Sequence, residues 1–62
     1  MLSDRSAMMM MSVDMNSAKI AQNMMSIMAN EAAAQMNMAA ISTNSAAIST
    51  SMDAISTNLA AI

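Results

Sequence analysis

Residues 39–62 read Ala39-Ala40-Ile41-Ser42-Thr43-Asn44-Ser45, Ala46-Ala47-Ile48-Ser49-Thr50-Ser51-Met52, Asp53-Ala54-Ile55-Ser56-Thr57-Asn58-Leu59 and Ala60-Ala61-Ile62, a seven-residue unit given three times and begun a fourth. Carried backwards, the same register orders most of the chain. The column of Ile41 holds Val13, Ile20, Ile27, Ala34, Ile41, Ile48, Ile55 and Ile62, and contains every Ile present. Three residues further on stand Asn16, Asn23, Asn30, Asn37, Asn44, Ser51 and Asn58, which include every Asn. Four residues on are Met10, Ser17, Met24, Glu31, Met38, Ser45, Met52 and Leu59. Thr43, Thr50 and Thr57 share a fourth column.

A repeat of seven is two turns of a slightly underwound helix, so each column keeps to one side of it. In a strand, an odd repeat would throw alternate units onto opposite faces, which argues against a β-ladder. No Gly or Pro interrupts the chain, and Ala and Met favour helix, whereas Ser and Asn are poorer formers. The expected fold class is therefore all-α: a Met-rich N-terminal segment over 1–12, then a heptad-repeat helix over 13–62. Ser3 or Asp4 is the expected N-cap. With no C-terminal Gly or basic last turn, the helix is expected to run to the end. The unbroken phase predicts one rod of roughly 75 Å at 1.5 Å per residue. A helical hairpin bent near Asn30-Glu31 is the alternative.

The remaining composition excludes much. The chain has 62 residues, a net charge of −2, and no Cys, His, Phe, Tyr or Trp. No disulfide, thiol chemistry or zinc site can be built without Cys or His. Two basic residues and no aromatics make a poor nucleic-acid surface. The carboxylates Asp4, Asp14, Glu31 and Asp53 are scattered, and the abundant Ser has no base to activate it, so no catalysis, cofactor or small-molecule substrate is expected. The twelve Met point round a helix rather than converging, which reads as adaptable packing instead of a copper site. The five-residue apolar run Ala7–Met11 is too short for a secretory signal. Residues 32–52 are uncharged over a bilayer's length, but nine of them are Gln, Asn, Ser or Thr, which disfavours a simple membrane anchor.

On a helical wheel the Ile column lies between the Met/Ser/Leu column and the Asn column. This makes an apolar seam, with Met24, Met38, Met52 and Leu59 beside the Ile residues and an Asn ladder along the border. The opposite side carries Ala18, Ala32, Ala39, Ala46 and Ala60 in one column and Ala33, Ala40, Ala47, Ala54 and Ala61 in another. Asp53 is the only charged side chain after Glu31. A two-stranded coiled coil in water normally displays Lys and Glu on its outer positions. The lack of such a face predicts contact on several sides, with copies of the same chain as partners and a filament, ribbon or sheet as the product. Two alternatives remain: a membrane-active or pore-forming subunit whose Ser, Thr and Asn columns line water, and a discrete trimeric stalk.

The Asn ladder has two readings. With Ile at a and Asn at d, the motif Ile41-Ser42-Thr43-Asn44 resembles the stalks of trimeric autotransporter adhesins, which implies core Asn residues facing a threefold axis and able to hold anions. With Met at a and Ile at d, the Asn residues flank the core and pair between neighbouring helices, fixing register. The block Ala32-Ala33-Ala34-Gln35-Met36-Asn37-Met38-Ala39-Ala40, with the heptads after it, resembles the structural proteins of bacterial R-bodies, the Reb "killing trait" family, in composition. That resemblance implies a subunit of an insoluble protein ribbon. Glu31, the one charge in the Met/Ser/Leu column, is a candidate pH-responsive group: stacked carboxylates in an apolar seam favour their protonated form.

Overall fold

The computed structural model describes residues 1–62, and it contains one element, helix α1 (Leu2–Ala61). The protein is all-α. The absence of Gly and Pro leaves no residue that breaks the i→i+4 ladder, and the backbone has no positive φ and no cis peptide bond. Asn30 and Glu31, where a hairpin would bend, are both helical. No turn forms there, because neither residue lacks an N–H or needs a left-handed backbone.

The N-terminus differs from the sequence expectation. Met1, rather than Ser3 or Asp4, precedes the first helical residue, and the Arg5 N–H donates to the Met1 carbonyl oxygen at 3.1 Å. Ser3 and Asp4 therefore lie inside the first turn. The reason is electrostatic as well as geometric: from the third helical position the Asp4 carboxylate faces free N–H groups and the positive end of the helix dipole, so it favours the turn without capping it. At the other end the helix continues to Ala61, and the Ile62 N–H reaches the Asn58 carbonyl oxygen at 3.2 Å.

Two units, Met1–Glu31 and Ala32–Ile62, are distinguished along the chain. The first holds nine of the twelve Met and all charged side chains but one. The second holds all three Thr, most of the Ala, and Asp53 as its single charged side chain. Within either unit, no two residues twelve or more positions apart bring their Cα atoms within 8 Å. No side chain in either unit is buried. Neither has a core.

Candidate assembly surface

Each unit presents the columns through helix geometry alone. Side chains three, four and seven residues apart share a face. In the first unit Val13, Ile20 and Ile27 line up, with Met24 between the last two and Asn16, Asn23 and Asn30 along one border. In the second, Ala34, Ile41, Ile48, Ile55 and Ile62 line up, with Met38, Met52 and Leu59 on one side and Asn37, Asn44 and Asn58 on the other. Apart from the terminal Ile62, the large apolar members of both sets range from 57% exposed at Ile55 to 68% at Met38. These side chains are held in position by the helix and covered by nothing.

An ideal helix turns by 3.6 residues, so a column of sevens drifts by about 20° per repeat. From Ala34 to Ile62 this amounts to roughly 80°. The Ile column is thus a slowly winding stripe on a single helix. It becomes a straight contact line only where the helix underwinds around a partner. Ala columns on the far side further even out the distribution of apolar surface, and α1 is only weakly amphipathic.

Two polar groups of the second unit are already satisfied. Thr50 Oγ1 donates to the Ala46 carbonyl oxygen at 3.1 Å, and Thr57 Oγ1 donates to the Asp53 carbonyl oxygen at 3.0 Å. Both bonds span four residues, a pairing that β-branched Thr can adopt within a helix. The Thr column itself lies between the two Ala columns on the helical wheel. The periodicity reveals the Thr column, but not which rotamer its members take. The signal that could have found the bonds is the spacing itself, since a mid-helix Thr always has the i−4 carbonyl within reach.

The Asn amides are not used in this way. Asn16, Asn23, Asn30, Asn37, Asn44 and Asn58 are exposed, and the side-chain hydrogen bonds formed within the chain are those of Thr50 and Thr57. Each Asn keeps two donors and an acceptor free. Glu31 is likewise exposed, on the face shared by Ile27 and Ala34. An open groove in the first unit is lined by Ser6, Met9, Met10, Val13 and Asp14. Its walls are side chains from successive turns of one helix, and the chemistry available there is apolar contact.

No group of three or more acidic residues stands close enough to hold a metal ion, and no helix is long and apolar enough to cross a membrane. No family model matches the chain, and neither does any curated protein or solved structure.

Proposed function

We propose that this chain is a structural subunit of a self-assembling helical polymer, a filament, ribbon or sheet built from copies of itself. The observation that carries this reading is a helix of 60 residues in which every residue is exposed. Its accessible surface is 5789 Å², whereas a compact protein of 6.5 kDa exposes about 3,800 Å². The excess, about 2,000 Å², is the scale of a stable protein–protein interface. Every Ile and Met side chain is at least 57% exposed, and the removal of such apolar groups from water is the main favourable term in association.

Charge separates a polymer from a discrete bundle. A soluble bundle closes its apolar stripe inward and shows charge outward. Here the Ile/Met face and the Ala columns leave apolar surface on more than one side, with Asp53 the single charged side chain beyond Glu31. A helix that can pack on several sides makes open arrays instead of closed rings. The likeness in composition to R-body proteins points the same way. Within the array, the Ile and Met columns form the contact line, and the Asn ladder sets register by pairing amides between neighbours.

Negative-stain electron microscopy of the purified chain, without detergent, tests the proposal. Long regular objects are expected. A monodisperse trimer would replace the polymer with a stalk, and particles obtained only in detergent would replace it with a membrane-active subunit.

A further inference from the structure

Thioether sulfur is the chain's only readily oxidised side-chain group, because twelve Met occur with no Cys, His, Trp or Tyr. Four of these Met stand in the column beside the Ile column, Met10 in the N-terminal segment over 1–12 and three in the heptad helix over 13–62. Met24, Met38 and Met52 recur every fourteen residues, four positions after Ile20, Ala34 and Ile48. In the single chain they are 59%, 68% and 62% exposed, open to a small oxidant in solution. The same side chains would be withdrawn from solvent once another helix lay across them. Their chemistry therefore differs between the free and the assembled subunit.

We infer that Met24, Met38 and Met52 are modification sites at which a hydroperoxide, by converting thioether to sulfoxide, holds the chain in its unassembled form. The inference rests on the reading of the Ile/Met face as the contact line. In the reaction a sulfur lone pair attacks the distal oxygen of hydrogen peroxide. The O–O bond breaks as the S–O bond forms, and the departing hydroxide takes up the proton left on the transferred oxygen and leaves as water. Sulfur loses two electrons and the peroxide gains them. The product carries a strong acceptor oxygen on a side chain that was apolar. Buried between helices without a donor, that oxygen opposes association. On the free helix it is simply hydrated. Assembly in turn shields the sulfur, so the polymer is expected to be oxidised more slowly than the subunit.

Met8, Met15 and Met36 supply the internal control. They stand two positions after the Ile column, about 200° around the helix from it. Oxidation there places oxygen on the far side.

The experiment compares critical concentrations for assembly, by sedimentation, before and after treatment with hydrogen peroxide, with sulfoxide content read by mass. Oxidised wild type is expected to need at least about tenfold more protein, the effect of one poorly paired polar group buried per chain. Reduction by methionine sulfoxide reductases should restore the original value. A variant with Met10→Leu, Met24→Leu, Met38→Leu and Met52→Leu should recover most of its assembly after peroxide although its other Met are oxidised. The triple variant Met8→Leu, Met15→Leu and Met36→Leu should remain blocked. Met24→Gln, Met38→Gln and Met52→Gln together should block assembly with no oxidant at all. Equal critical concentrations for oxidised and untreated wild type would overturn the inference, as would equal blockage of the two Leu variants. Untreated wild type that never assembles overturns the polymer itself and this gate with it, and that control tells the two failures apart.

Discussion

Thr57 donates its hydroxyl hydrogen to the main-chain carbonyl of Asp53, one turn earlier, at 3.0 Å. Thr50 does the same to Ala46 at 3.1 Å. Two of the three Thr hydroxyls in this column are thereby turned onto their own helix, between two rows of Ala. The face is less polar than its residue names imply.

In the proposed assembly these hydroxyls are expected to stay on their own backbone. Replacing Thr50 and Thr57 together by Val keeps the branched shape and removes two groups that bond only the backbone. Stability is expected to change by no more than about 0.5 kcal/mol per site, and the critical concentration should stay within a few-fold of wild type. Sedimentation checks this. A variant that no longer assembles would show that the hydroxyls reach across to another helix.

The Ile column is expected to behave in the opposite way. Ile41→Asp with Ile48→Asp would place unpaired carboxylates in the contact line, at a cost of about 3–5 kcal/mol per buried charge. The double variant should lose both its assembled form and its helical circular dichroism signal. Retention of full helicity at low concentration would mean that the helix does not depend on packing against copies.

The Asn ladder should govern order more than strength. Changing Asn23, Asn30, Asn37 and Asn44 together to Leu removes amides that a slipped neighbour would leave unpaired, and adds apolar surface. The expected product is as stable or more so, but heterogeneous, with mixed registers or amorphous aggregate under the microscope. A regular assembly indistinguishable from wild type would show that the ladder specifies nothing.

Glu31 is exposed on the single chain, on the face shared by Ile27 and Ala34. Copies stacked along the Ile/Met face would bring this carboxylate into apolar surroundings, where a charge without a partner opposes association. Glu31→Gln removes the charge and keeps the shape, so its critical concentration, read by sedimentation at pH 7, should fall below that of wild type. An unchanged or higher value would show that Glu31 stays in solvent in the assembly.

The helix itself was legible in the columns: six Ile in one register and six Asn in another describe a repeat that only a helix keeps on fixed sides. Its extension to Ala61 followed from the lack of any stop signal. The first turn was read one cap too late, because Ser3 and Asp4 suit a cap and the first turn alike, and the Met1 carbonyl was free to accept from Arg5. The choice between Asn and Met at the second core position lies outside a single chain. Columns say which side chains share a face, whereas the columns that enter a core depend on how many helices meet and in which direction they run. For the same reason the stripe from Ala34 to Ile62 still winds on one helix and would be straightened only by a partner.

The central claim is that association and helix formation are one event, since a Ser- and Asn-rich helix without a core is marginal in water by itself. A dilution series followed by far-ultraviolet circular dichroism, with sedimentation on the same samples, measures this directly. Helical signal and sedimentable mass are predicted to rise together across a single concentration threshold. A chain that stays fully helical and monomeric down to the lowest concentration would contradict it.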